Sequence, residues 1–408
     1  MLQVESAARK RASRRRIALA LAGGGPLGAF YQLGCLHALA DCTEGLDLTQ
    51  LDGYVGVSSG AIIAAGLANG IDTGHMVQLF FVDDGSEPYP LTPGALMRPA
   101  FGEYCQRALR LPSLLARVAR NISKNPLGQN WAALLAPLTE AIPTGVFDNR
   151  PFEQYMRNLL GSGGRTNDFR ELGAMLRIVA ADLNTGQEVC FGEPGNDRVP
   201  ISEAIRASTA LPGLYTPVRI DGRTLVDGAL LRTAHASLVL ENGADLVIAV
   251  NPLVTFSASH GRGHHADLAD GGFISVMNQT FRALIQSRMQ IGMAAYHQRY
   301  PYSDRVLFQP DRDDEIMFFT NIFRYSERYR LASHAYQSTR ADLLANAEPL
   351  QRVLKRHGVE LLLDRLQDPQ RRLAPSGAAL LGTGTTANLS HVLDRLSNWL
   401  VKKEVTGD

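Results

Sequence analysis

The stretch "ALALAGGGPLGAFYQLGCL", residues 18–36, carries the fold in its punctuation. An apolar run stops at three glycines, Gly23 to Gly25, and resumes as a helical pattern after Pro26, Leu27 and Gly28. Apolar residues without polar alternation mark a strand covered on both faces, as in a parallel sheet. A glycine loop between such a strand and a helix bares backbone N–H groups at the positive end of the helix, where an anion can be held. The spacing of Gly23, Gly25 and Gly28 also fits the G-x-G-x-x-G turn of dinucleotide-binding folds. Those folds need an acidic residue closing the second strand to grip the ribose, and here "LDGYVGV" (51–57) runs into a serine instead. The anion cradle survives that test and the nucleotide does not.

The serine is Ser58 of "GVSSG", Gly56 to Gly60, a G-x-S-x-G pentapeptide between an apolar strand and the Ala-rich "SGAIIAAGLANG". A serine on a tight strand-to-helix turn projects its hydroxyl from the sheet edge, and Gly56 and Gly60 permit the strained backbone and close packing this requires. Ser58 is therefore the candidate nucleophile. An ester carbonyl attacked there becomes an oxyanion, and the amides around Gly23, Gly24, Gly25 and Gly28 are the expected oxyanion hole.

The candidate base lies in "VRIDGRTLVDGALLRT" (218–233). Asp221-Gly222 is a two-residue hairpin signal, and the returning strand delivers Asp227 at its end, followed by Gly228. An ordinary Asp-Gly turn is the rival reading. His235, His260, His264 and His265 follow Asp227 in the order of a Ser-acid-His triad, though none has a recognisable strand-to-loop setting. His260, His264 and His265 sit in "SASHGRGHHADLADGG" (257–272), which reads as an exposed loop more readily than as a metal site. No metal and no cofactor are expected.

Bulk properties bound the rest. The chain has 408 residues, 45% of them apolar, and 41 Lys and Arg against 40 Asp and Glu, so no global field points to nucleic acid. Four cysteines without a C-x-x-C pair argue for a reduced, cytoplasmic chain. No window is long enough to span a bilayer, which leaves peripheral association with a membrane open. "RKRASRRR" (9–16) imitates a signal peptide, but the apolar run behind it is too short, so residues 1–16 read as a basic arm. Strand-like and helical segments alternate from 17 to about 370, with helix read from 325 to 368, and predict an α/β unit. Residues 83–160 read as a helical insertion with Arg107, Arg110, Arg117, Arg120 and Lys124 along one face, either a lid over an acyl groove or a layer completing the core. Residues 374–388 read as a linker. Beyond them Leu389, Val392, Leu393, Leu396, Trp399 and Leu400 form an apolar stripe that would dock on its own domain, on another subunit in a homo-oligomer, or in a membrane interface.

"GGGPLG", "GVSSG" and "DGA", in that order, resemble the patatin-like phospholipases, and "ASTALPGLYTPV" (207–218) strengthens the likeness. The resemblance covers roughly residues 17–310 in motif order and strand pattern. It implies a three-layer α/β sandwich with a largely parallel central sheet, and a dyad of Ser58 as nucleophile and Asp227 as general base without histidine. It also implies the glycine loop as oxyanion hole, and hydrolysis of acyl lipids at a membrane or lipid-droplet surface. Leu27 stands where the family often has Arg or Lys, which favours neutral acyl esters over phosphate-bearing ones. The rival functions are a general carboxylesterase with a Ser-His-Asp triad and a lipid-binding scaffold without catalysis.

Overall fold

Residues Ile17–Leu21 form a strand whose side chains leave alternately, Leu19 and Leu21 into one buried cluster and Ala18 and Ala20 into another on the opposite face. The computed structural model describes residues 1–7, 15–81, 93–124, 135–231, 234–257, 268–320 and 325–374. Its strands are β1 Leu2–Glu5, β2 Ile17–Leu21, β3 Thr43–Glu44, β4 Gly53–Val57, β5 Gly145–Phe147, β6 Met175–Asp182, β7 Glu188–Phe191, β8 Gly213–Tyr215, β9 Val218–Ile220, β10 Arg223–Asp227, β11 Leu246–Val250, β12 Asp304–Phe308 and β13 Glu360–Leu361. The main sheet runs β1-β12-β11-β2-β4-β6-β10-β9, with β7 also on β6.

The five strands from β12 through β6 are mutually parallel, while β1, β7, β10 and β9 are antiparallel additions. The helices α1 Gly25–Asp41 and α2 Ser59–Ala68 cover one face together with the helix Tyr325–Ala345, burying Leu33, Leu36, Ile63 and Tyr336 against Leu19, Leu21 and Tyr54. Val239 and Leu240 of the helix Ser237–Glu241, and Met289 and Met293 of Gly272–Arg299, cover the other. The expected three-layer α/β sandwich with a largely parallel sheet is what forms.

The Asp221-Gly222 turn joins β9 to β10 with Ile220 opposite Arg223, and both turn residues have positive φ, 48° and 75°. That is the geometry a two-residue hairpin of right-handed twist demands.

Three readings change. Residues 2–5 of the supposed basic arm are a strand, paired antiparallel with β12 from Leu2–Phe308 to Glu5–Arg305. Leu2 is buried, and the Glu5 carboxylate lies 2.7 Å from the Arg305 guanidinium. Four residues beside a long basic run are too short a signal to register as a strand. The segment read as helix from 325 to 368 is interrupted by β13, which pairs with β3. Helix α3 Thr73–Phe81 precedes the insertion, which is helical at α4 Pro93–Leu96, α5 Phe101–Lys124 and Arg150–Leu160, yet it also contains β5, parallel to β8. Residues 9–14, the histidines at 260, 264, 265 and 391, the linker from 375 and the C-terminal apolar stripe lie outside the described residues.

Candidate active site

Strand β4 ends at Val57 and helix α2 begins at Ser59, so the whole change of direction falls on Ser58, with φ 54° and ψ −124°. That is a left-handed conformation that a residue with a Cβ adopts only where its surroundings over-determine it. They do so here by exclusion. A Cβ on Gly56 would lie 2.5 Å from the Ala61 Cα, and one on Gly60 would lie 2.4 Å from the Leu21 carbonyl oxygen. The elbow therefore packs directly against the end of β2. Ser208, in "ASTALPGLYTPV", fastens it from the other side: the Ser58 N–H donates to the Ser208 hydroxyl at 2.8 Å, and that hydroxyl donates to the Val179 carbonyl at 2.6 Å. Sequence reading passed over Ser208 because nothing local marks it; only the packing of the helix Ile201–Ser208 on β6 brings it under the turn.

Asp227 ends β10, held in register by antiparallel pairing of Asp227 with Ala180. Gly228 follows it because a Cβ there would lie 2.3 Å from the Val179 carbonyl oxygen. The Ser58 hydroxyl donates to Asp227 Oδ2 at 2.5 Å, and the Ala229 N–H donates to Oδ1 at 2.9 Å. Both side chains are buried, at 4% and 2% exposure. Burial pushes the Asp227 carboxyl up to about 6 against the opposing pull of the hydrogen bonds from Ser58 and Ala229.

The direct contact leaves no space for an imidazole between the two side chains. The described histidines face other groups: His37 bonds Thr73, His334 bonds Asp314, His357 bonds Asp304, and His235 lies 3.6 Å from Glu188.

The glycine loop runs beside the elbow. Gly23 has no room for a side chain, since a Cβ would lie 2.8 Å from the Ala229 Cβ and 3.1 Å from the Ser58 Cβ. Gly24 and Gly28 are closed in the same way by Pro252. Gly25, at φ 60°, opens helix α1 onto empty space, and Pro26 follows in the first turn. The first amides of a helix have no partner within it, so this end presents donors and a positive dipole beside the Ser58 hydroxyl.

Both elements border a pocket of about 690 Å³. Phe30, Ile62, Phe80, Phe152 and Leu214 are among the residues of its wall, and among the described residues no charged side chain lines it. Leu96, Asn149 and Phe152 come from the insertion, which thus supplies part of the lining through α4 and the helix Arg150–Leu160 and not through the arginine-bearing α5. Arg328, buried, stands over the Phe30 ring at 5.8 Å and borders an adjoining cavity of about 310 Å³.

A family model described as Patatin-like phospholipase matches residues 19–239, more than half of the chain, and that span contains the glycine loop, the elbow and Asp227. The chain belongs to the patatin-like phospholipase family. Among curated relatives, an uncharacterized NTE family protein of Mycobacterium bovis is 42% identical over 73 residues, 18% of this chain and 19% of the relative. An uncharacterized NTE family protein of Mycobacterium tuberculosis (strain H37Rv) is 27% identical over 257 residues, 62% of this chain and 33% of the relative. The patatin-like chain thus spans a third or less of the length of these relatives. Among solved structures, VipD from Legionella pneumophila aligns with a TM-score of 0.37 at 16% identity, covering 86% of this chain and 70% of VipD. The type III effector ExoU aligns at 0.24 and 18% identity, covering 82% and 61%. Among the described residues of this family member, no helix is long and apolar enough to cross a membrane.

Proposed function

We propose that the protein hydrolyses carboxylic esters of acyl lipids with Ser58 as nucleophile and Asp227 as its general base. The 2.5 Å hydrogen bond from the Ser58 hydroxyl to the buried Asp227 carboxylate carries this reading. As Ser58 Oγ attacks the carbonyl carbon, its proton passes to Asp227 Oδ2 and the carbonyl π electrons move onto oxygen. The amides of Gly23, Gly24 and Gly25 are the donors proposed for that oxyanion; Pro26 has no N–H, and the Gly28 N–H, expected to join them, is instead donated to the Gly24 carbonyl at 3.0 Å. Collapse expels the alcohol, which takes the proton back from Asp227 and leaves an acyl-serine. Water then attacks the acyl carbon, losing its proton to Asp227, and collapse breaks the bond to Ser58 Oγ, which takes that proton back as the fatty acid leaves.

A carboxyl at about 6 suits this shuttle: it is ionised at neutral pH yet a stronger base than an ordinary aspartate. The apolar lining of the pocket, without a charged side chain among the described residues, supports an acyl chain as the part of the substrate it holds. Together with Leu27 in the loop, it favours neutral acyl esters over a phosphate bound next to the reacting carbonyl.

The test is incubation of the pure protein with phospholipids, lysophospholipids, glycerides and short p-nitrophenyl esters, with identification of the released acids. Fluorophosphonate labelling should occur at Ser58 and vanish in Ser58→Ala. Loss of activity on replacing any single histidine would replace the dyad with a triad, and absence of both labelling and acid release would leave a non-catalytic lipid binder.

A further inference from the structure

Among the described residues, helix α5, Phe101–Lys124, is attached along one side only. Leu114 and Val118 are buried, Arg107 bonds Glu103 and the Glu140 carbonyl, and Tyr104 bonds the Val146 carbonyl. Most of the rest of its circumference is exposed, and part of that exposed surface is apolar. Phe101, Ala108, Leu115 and Ile122 recur every seven residues and so stand in one row along the helix, with Leu111 beside it, while Leu109 lies round on the side of Arg120. Phe101 is 65% exposed and Leu109 82%. Such a helix in water leaves its apolar face without its usual burial.

Cations occupy the other exposed flank: Arg110, Arg117 and Arg120, of which Arg117 pairs with Glu140. Among the described residues, the acids paired with the arginines of this helix are Glu103, with Arg107, and Glu140, with Arg117, so the surplus charge on this face is positive although the whole chain carries only +1. An apolar row with a cationic flank matches one environment, the interface of an anionic bilayer, where apolar side chains enter the acyl region and guanidinium groups remain among the phosphates. A water-soluble protein partner would account for the apolar row but not for the surplus cations beside it.

The face also continues toward the pocket. Exposed Val146 lies in β5, which pairs with β8, and β8 contributes Leu214 and Tyr215 to the pocket wall; Leu96, at the end of α4, lines it as well. We infer that α5 is the element by which the protein lies on an anionic phospholipid surface, its apolar row inserted beside the pocket mouth. The inference rests on the lipid hydrolase reading for its purpose, but its test does not depend on catalysis.

Full-length protein carrying Ser58→Ala leaves vesicles intact and can be floated with phosphatidylcholine vesicles with or without phosphatidylglycerol. The anionic vesicles should bind it, less so as salt is raised. Leu109→Glu with Leu115→Glu should lower that binding about tenfold or more, and Arg110→Glu with Arg120→Glu should remove its dependence on phosphatidylglycerol. With Ser58 restored, both double variants should cleave a short soluble ester at the unaltered rate, and the rate on vesicle-borne lipid should fall with binding. Binding unaffected by the leucine changes would overturn the inference, as would a protein that ignores anionic vesicles. A shift from dimer to monomer in sedimentation velocity when the leucines are replaced would assign the face to a second copy instead. If binding behaves as stated but Ser58 proves inert, the hydrolase reading fails and the surface remains.

Discussion

The elbow at Ser58 and the helix α5 are built on opposite terms. At the elbow six glycines are closed: Gly23, Gly24, Gly28, Gly56, Gly60 and Gly228 would each put a Cβ within 3 Å of another atom, while Gly25 alone in the loop faces open space. Along α5 the opposite holds, and Gly102 has nothing within 4 Å. The first region stores strain because its neighbours forbid any relaxation, and the second exposes apolar rows because its own fold does not cover them. A reacting pair must be held to within a fraction of an ångström, whereas a surface that meets lipid needs only chemistry facing outward.

The largest effect should come from the pair itself. Ser58→Ala and Asp227→Asn should each lower kcat by about a thousandfold or more, and the double variant should be no worse than the poorer single one, because the two act as a unit. Additive losses in kcat would break the pairing.

Next comes packing. Gly60→Ala would place a methyl 2.4 Å from the Leu21 carbonyl oxygen. It should cost about 3 kcal/mol, read as a fall in the denaturation midpoint, and should lower activity with it.

A comparable effect should appear as pH dependence. Asp227 is raised from 3.8 to about 6 in the folded protein, so ionising it opposes folding. The opposing effect is absent below about pH 4, grows from there to about pH 6 and is complete above, amounting to on the order of 3 kcal/mol. Asp227→Asn, which stays neutral, should therefore be more stable than the native protein near pH 8 and equal to it near pH 4. The kcat/KM of the native protein should rise through an acid limb near pH 6.

Ser208→Ala should have a smaller effect. It deprives the Ser58 N–H of its acceptor, so stability should fall by about 1–3 kcal/mol and kcat by roughly tenfold with KM little changed. Smallest of all, Gly102→Ala in α5 should leave activity on soluble esters untouched and add about 0.5 kcal/mol, since it removes freedom from the unfolded chain and meets no obstacle.

Much of this was legible in the amino-acid order. The unbroken apolar runs of β2 and β4 marked parallel strands covered on both sides, the glycine spacing marked turns with no room for side chains, and Asp221-Gly222 marked the hairpin that ends at Asp227. Each is a local rule, in which a residue's own sterics restrict its backbone. Where the signal was short or non-local it was missed. Residues 2–5 were lost beside the basic run, β5 was lost among helices, and Ser208 had no mark at all.

The sequence by itself determined the strand-turn-helix units and the presence of one alcohol and one carboxyl at two separate turns, because turn chemistry and burial periodicity are written into neighbouring residues. Only the tertiary structure decided that these groups, 169 positions apart, meet at 2.5 Å, that Ser208 supports the amide of one of them, and that α5 faces outward. Such distances depend on sheet order and on the antiparallel register of β10 against β6, and register is settled by the packing of whole layers.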